Sequence, residues 1–328
     1  MLSKDTFFEL QWLMAKQELK HPRTSYGGSL NQRSKSSSVI DIHARVSGMH
    51  LGILSSNAKH ISDWIDSVQI DLNTVDRWDC TTNTKALPEI GLRWNEYDIR
   101  ALSDSTHAVY EFIVRNKHRD PVIFEGEYWM YDSMIDRKIT NIEQLNDRSL
   151  LIISFPFMHR LEPRHDMNEI LKRCCELGIP VLIDCIWLPL TNNIVKLENT
   201  QCIEVIIHSI TKMLPLAGIK GGLCFIKSPV PSEMRVTEIT GKVGAYVFDQ
   251  YIRQKGYFYV RNSHLALQQK WCEILSVNPH ELVFAGKIDN GHELSRFAWK
   301  QNGNIINLCP FYTHNDICTE YLKDKKII

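Results

Sequence analysis

Three charged residues stand where a parallel sheet would gather them. Asp184 follows the apolar run Pro180-Val181-Leu182-Ile183, and Lys212 follows Ile206-Ile207-His208-Ser209-Ile210-Thr211. Lys220 comes eight residues later, inside Ala217-Gly218-Ile219-Lys220-Gly221-Gly222. An acid at the mouth of a buried strand is costly unless a cation pairs with it. Singly, each has a plainer reading, since an acid after a strand commonly caps a helix and a lone lysine is usually solvated. Together they support more specific chemistry. A lysine whose charge is disfavoured by a neighbouring cation such as Lys220 can form a Schiff base with a carbonyl cofactor. An aspartate on a neighbouring strand can hold a pyridine nitrogen protonated and make that ring an electron sink. Those two roles define a pyridoxal phosphate site.

Such residues need strands that end side by side. Short apolar runs at Arg100-Ala101-Leu102-Ser103, Pro121-Val122-Ile123-Phe124, Leu150-Leu151-Ile152-Ile153-Ser154, Pro180-Val181-Leu182-Ile183 and Ile203-Glu204-Val205-Ile206-Ile207 predict strands, with helices between several of them. One helix opens on Asp166 and Glu169 as a capping-box-like pair, buries Met167, Ile170 and Cys174, and closes at Gly178. The pattern predicts an α/β fold, a mostly parallel sheet covered by helices on both faces, which binds ligands at the carboxyl ends of its strands. Residues 5–20 predict a further helix, with Phe7, Leu10, Leu13 and Met14 at helical spacing and Pro22 as a stop. His21 to Ser38 is polar, either a surface connection or a segment that orders over a ligand. Residues 45–95 show no clear period beyond a helical piece around Ala58–Val68. Ser228-Pro229-Val230-Pro231 punctuates the chain, and residues 262–275 predict another amphipathic helix. The expected organisation is an N-terminal helix and segment (1–44) that joins the small domain, a large cofactor-binding domain (45–230) and a small α+β C-terminal domain (231–328).

Ser209-Ile210-Thr211-Lys212, followed by Leu216-Ala217-Gly218-Ile219-Lys220-Gly221-Gly222, resembles the Schiff-base lysine motif of the fold-type I pyridoxal-phosphate enzymes, in the class I/II aminotransferase branch of the aspartate aminotransferase superfamily. The family pattern is Ser-x-x-Lys, then Gly-x-Arg-x-Gly; the spacing is kept here and the arginine is Lys220. Ile183-Asp184-Cys185-Ile186-Trp187 resembles the family's Asp-x-x-Tyr. The resemblance implies Asp184 on the pyridine nitrogen and Trp187 near the ring's phenolic oxygen, where an indole N–H donates but cannot titrate. Glu125-Gly126-Glu127-Tyr128-Trp129-Met130-Tyr131 stands where the family has Pro-x-Tyr-x-x-Tyr, which implies that Tyr128 stacks on the ring. Leu102-Ser103-Asp104-Ser105-Thr106-His107-Ala108 resembles the strand-to-helix turn that holds the phosphate at a helix N-terminus. Ser105, Thr106, Ser209 and Lys220 are then the implied phosphate contacts, and Asp104 repels a phosphate unless it points away. The resemblance covers residues 97–227.

Three departures bear on function. The family's Asn-Pro-x-Gly should follow Ile153-Ser154-Phe155-Pro156, but the chain reads Phe157-Met158-His159-Arg160, so Met158 or His159 stands near the asparagine's place. The arginine that grips a substrate carboxylate matches Asn307 in Ile305-Ile306-Asn307-Leu308-Cys309, and asparagine cannot form a charged bidentate clamp. Lysine for arginine at Lys220 is milder. Arg160, Arg164 and Arg296 are either carboxylate ligands from another direction or solvated surface arginines. With these changes, the resemblance implies a homodimeric enzyme in which Lys212, Asp184 and Tyr128 are catalytic and His159 and Asn307 are the substrate-side candidates. It would act on a small amine or amino acid, aminotransferase chemistry leading, with lyase, decarboxylase or racemase chemistry as alternatives. A degenerate relative that binds without catalysis is the reading from another class.

Composition bounds the rest. Among 328 residues, 38 basic side chains balance 38 acidic ones, which removes the usual basic excess of a nucleic-acid binder. No apolar run nears the roughly 18 residues of a membrane span, and charges interrupt any signal core at the N-terminus. Nine cysteines, odd in number and without Cys-x-x-Cys, predict reduced thiols in a cytoplasmic protein and no metal site. The chain carries no Gly-x-Gly-x-x-Gly after a strand, no P-loop, no His-Glu-x-x-His and no Gly-x-Ser-x-Gly.

Overall fold

The computed structural model describes residues 5–7, 9–10, 13–14, 75, 77–78, 84–157, 164–192, 194–209, 221–227, 241–289, 291–292, 294, 304–313 and 315–328. These form two compact units. One gathers the described residues between 70 and 211 and between 219 and 259; the other gathers those at 5–14 and from 260 onward.

The first unit is built on seven strands: β1 (Tyr97–Leu102), β2 (Asp120–Phe124), β3 (Arg137–Ile139), β4 (Ser149–Ser154), β5 (Val181–Asp184), β6 (Ile203–Ser209) and β7 (Gly222–Lys227). Their order across the sheet is β1-β7-β6-β5-β4-β2-β3. Strands β2 to β6 pair in parallel, and β7 runs antiparallel to both of its neighbours, β1 and β6, so β7 alone is reversed. This is the expected α/β sheet. β4 and β5 are buried along their whole length, which is why they read as unbroken apolar runs.

Among the described residues, four α-helices belong with the sheet: α1 (Ser105–Arg115), α2 (Trp129–Met134), α3 (Met167–Leu177) and α4 (Lys242–Lys255). On one face Val109 and Phe112 of α1 and Tyr131 of α2 pack with Ile123, Ile152, Leu182 and Ile207 from four strands. On the opposite face α4 lies against β1 and β7, and its Phe248 ring stacks on that of His208. Alternation along each strand then fixes a consequence. Ser154, Asp184 and Ser209 continue the face of Ile152, Leu182 and Ile207, under α1 and α2, at the carboxyl ends of their strands.

α3 ends as its sequence predicts, at Gly178 in the left-handed conformation (φ 63°), and buries Met167, Ile170 and Cys174. Its start differs. Asp166 makes no side-chain cap bond, because Arg164 holds both carboxylate oxygens at 2.7 Å through Nε and Nη2. β3 and β7 go beyond the strands that periodicity marks out. Glycine is required at the start of β7: a Cβ on Gly222 would stand 1.9 Å from the His208 carbonyl oxygen. The pairing there brings Leu102, Gly222 and Ser209 into one row across β1, β7 and β6.

The second unit holds the chain of α5 beyond its first residue (Tyr259–Leu275), a three-stranded antiparallel sheet of β8 (Asn278–Pro279), β9 (Ala285–Lys287) and β10 (Ile305–Asn307), and helices α6 (Cys309–Thr313) and α7 (Asn315–Asp324). Phe7, Leu10 and Met14 are helical and buried, with the Phe7 ring against Phe311. Gln268 Nε2 donates to the carbonyls of His280, Leu282 and Ala285, tying α5 to the turn before β9. The helical piece expected around Ala58–Val68 and the segment from His21 to Ser38 lie outside the described residues. Among the described residues no helix is long and apolar enough to cross a membrane.

Candidate functional site

The sheet edge formed by the carboxyl ends of β4, β5 and β6 places Asp184 between Ser154 and Ile207 in register. Asp184 is 3% exposed. Its Oδ2 accepts from the Tyr131 hydroxyl at 2.6 Å and its Oδ1 from the Ile186 N–H at 2.9 Å. Each carboxylate oxygen carries two lone pairs, so an ionised aspartate can accept more than these two bonds. Burial and the Asp184 charge keep the Tyr131 phenol protonated, far above its usual range. That phenol is therefore a permanent donor that orients the carboxylate.

Tyr128, one helical turn before Tyr131, is half-buried and packs edge-on to it, with ring centroids 5.4 Å apart. Burial first, then the charges of Asp184 and Asp104, raise its phenol. The sequence candidates Asp184 and Tyr128 thus fall in one place, and Tyr131 is the member that joins them. The signal for Tyr131 is its place three residues after Tyr128 in the family-like motif; Tyr128 is the N-cap residue of α2 and Tyr131 lies in that helix's first turn.

Glu127 is a member of the site that the sequence reading does not single out. It is 6% exposed and accepts three hydrogen bonds: Ser154 N–H to Oε1 at 2.7 Å, Ser154 Oγ–H to Oε2 at 2.6 Å, and Tyr128 N–H to Oε2 at 3.0 Å. Burial pushes its carboxyl up to about 7, the Asp184 charge adds to the rise, and the bonds from Ser154 and Tyr128 oppose it. No local signal reveals this, because two of the three donors come from β4.

The phosphate-turn expectation meets a competitor. Asp104 is the N-cap of α1, and its Oδ1 accepts from the Thr106 N–H at 2.9 Å and also from the Thr106 hydroxyl. An anion is therefore already seated on one helix-start amide, as the helix dipole favours. Ser105 lies at the same helix start, with its hydroxyl hydrogen-bonded to Tyr131. The remaining phosphate candidate among the described residues is Ser209, buried at the end of β6.

Trp187 is 2% exposed at the head of the 3-10 turn Leu188–Leu190 that follows β5. Arg164 is not a solvated surface arginine: besides pairing with Asp166, its guanidinium lies 4.1 Å from the Phe124 ring centroid and 4.9 Å from that of Phe157. In the second unit Asn307 spends its side-chain oxygen on the Cys309 N–H at 2.9 Å, at the start of α6. Lys212, Lys220, His159, Met158, Arg160 and Arg296 lie outside the described residues.

No protein-family model and no curated protein matches the chain. Solved structures do. N-succinyldiaminopimelate aminotransferase from Mycobacterium tuberculosis superposes with a TM-score of 0.51 at 13% identity, covering 83% of this chain and 89% of that one. A decarboxylase from Sulfurospirillum multivorans gives 0.51 at 15% identity over 86% and 85% of the two chains. A pyridoxal-phosphate-bound C-S lyase from Staphylococcus hominis gives 0.51 at 11% over 89% and 95%. The chain has the fold of the type I pyridoxal-phosphate enzymes. Three different reactions on one fold leave the reaction to be argued from the site.

Glu127 generates a prediction about pH. Its folded-state proton affinity exceeds the ordinary value of 4.5, so its contribution to stability is fully present below pH 4.5 and is lost as pH rises through about 7. The loss amounts to about 3 kcal/mol at most. Urea titrations across that window are expected to show Glu127→Gln gaining on wild type as pH rises; a difference that stays constant with pH contradicts the titration.

Proposed function

We propose that this chain is a pyridoxal-phosphate-dependent enzyme acting on a small amine or amino acid, with transamination as its leading chemistry. The observation that carries the reading is the buried Asp184 carboxylate at the end of β5, oriented by the Tyr131 hydroxyl beside the half-buried Tyr128 ring. The donor set fits the ring end of the cofactor. Asp184 would hold the proton on the pyridine nitrogen, Tyr128 would offer its face for stacking, and Trp187 and Ser209 stand at the ends of β5 and β6.

Bound there, pyridoxal phosphate supplies an electron sink for the charge left when a bond to the amine-bearing carbon breaks. The chain's own residues do the rest. Asp184 would hold the ring nitrogen's proton, and the Tyr131 hydroxyl keeps Asp184 from turning away. Lys212 would provide the amine that anchors the cofactor's carbonyl carbon, and its Nζ would carry the proton to and from the substrate carbon. Lys220 would meet the phosphate as a point charge. Elimination, decarboxylation and racemisation would use the same residues, and asparagine rather than arginine at Asn307 leaves the substrate without the family's charged carboxylate clamp. The family resemblance adds a homodimer to this proposal, and the cysteine usage adds a cytoplasmic location.

A second reading has a specific observation behind it. Asp104 occupies the Thr106 donors that a phosphate would use, and this favours a relative that has given up tight cofactor binding. Two experiments separate them. Purified wild type mixed with pyridoxal phosphate is expected to show a visible absorption band that borohydride fixes as an adduct on Lys212, mapped by mass spectrometry and missing in Lys212→Ala. No band in either protein overturns the enzyme reading. Asp104→Gly, which costs a helix start only about a few tenths of a kcal/mol, is expected to tighten pyridoxal phosphate binding while leaving pyridoxal unchanged. Equal effects on both ligands count against Asp104 as the phosphate's competitor.

A further inference from the structure

Ser154 connects two buried acids. It is the in-register neighbour of Asp184 across β4 and β5, and both its N–H and its hydroxyl donate to Glu127. Glu127 in turn receives the N–H of Tyr128 at 3.0 Å. One carboxyl thereby fastens the segment that carries the stacking ring to the end of the strand beside Asp184.

We propose that Glu127 is a positioning residue of the cofactor site, and that it gives up its proton when a cationic ring docks on Asp184. The proposal rests on the function proposed above. Its physical basis is the charge around Glu127. The groups facing it are Tyr128 on its own segment, Tyr131 on α2, Ser154 on β4 and Asp184 on β5. Tyr131 is a neutral phenol, Ser154 is neutral, and Asp184 is the acid that repels a charge on Glu127. Arg164, the cation at the neighbouring strand ends, is paired with Asp166. A protonated pyridine nitrogen on Asp184 offsets the repelling charge, so the ionised form of Glu127 becomes the favoured one and a proton leaves. The 2.6 Å contact with Ser154 accommodates both states: the hydroxyl donates to the carboxylate, or accepts from the protonated carboxyl. Ionised, Glu127 accepts all three bonds and holds Tyr128 most firmly.

Pyridoxine phosphate is the probe, because it has the ring and phosphate but no aldehyde and therefore cannot react with Lys212. Calorimetry in two buffers of different ionisation enthalpy counts the protons released on binding. Wild type is expected to release an additional fraction of a proton near pH 7 that Glu127→Gln does not release. The affinity ratio of wild type to variant should rise by about fivefold from pH 6 to pH 8. Ser154→Ala keeps the carboxyl but removes a donor to its ionised form, so its extra proton release should move to higher pH. Identical proton counts and pH profiles in wild type and both variants overturn the proposal while leaving the functional reading in place. Failure of wild type to bind pyridoxine phosphate and pyridoxal phosphate alike removes both.

Discussion

The hydrogen bond from Tyr131 to Asp184 is the interaction on which the site depends. A carboxylate buried at the end of a parallel strand keeps a charge where water cannot solvate it, so its orientation and neighbours decide what it can serve. Here β5 delivers the carboxylate, α2 delivers the phenol that turns it, and the backbone after β5 supplies a second donor at Ile186. The field of that one acid reaches outward, raising the proton affinity of Tyr131, Tyr128 and Glu127 in addition to what burial does. The sheet, with α1 and α2 packed on the face that Asp184 shares, holds this arrangement dry.

The two ends of the site pull in different directions. At the ring end, acceptor, orienting donor and aromatic face agree with a pyridine ring. At the phosphate end, the chain has placed its own carboxylate on the start of α1. An N-cap aspartate stabilises that helix by about 1 kcal/mol, and under the proposed function a phosphate would have to displace it or bind beside it. Under the proposed function, affinity at this turn would be set by a competition between an internal anion and an external one.

Much of the sheet is legible in the sequence because parallel strands covered on both faces must be apolar throughout, as at Leu150–Ser154 and Val181–Ile183. The reversed direction of β7 is not, since periodicity reports which faces are buried and says nothing of strand direction. Gly178 marks a helix end through backbone conformation, which a single residue type encodes. The start of α3 departs from its sequence pattern because Asp166 has a stronger partner in Arg164, which helical spacing does not single out. Asp184 can be read from local context, at the end of a buried strand, whereas Tyr128 is legible only through the resemblance of residues 125–131 to a family motif. Glu127 cannot, because its donors meet only after β4 lies beside β2 in the folded sheet. The conflict between Asp104 and a phosphate is visible in sequence; its capping bond to Thr106 needs coordinates.

Whether Asp184 is built to hold a cationic ring is tested most directly by thermal unfolding with and without saturating pyridoxal phosphate. Wild type is compared with Asp184→Asn, which keeps the size of the side chain and an acceptor for Tyr131 but removes the charge. Ligand at about a hundredfold excess over its dissociation constant stabilises a protein by about 2.7 kcal/mol. A clear rise in melting temperature is predicted for wild type, with loss of most of that rise in Asp184→Asn. An equal rise in both proteins, or none in wild type, would contradict the role assigned to Asp184.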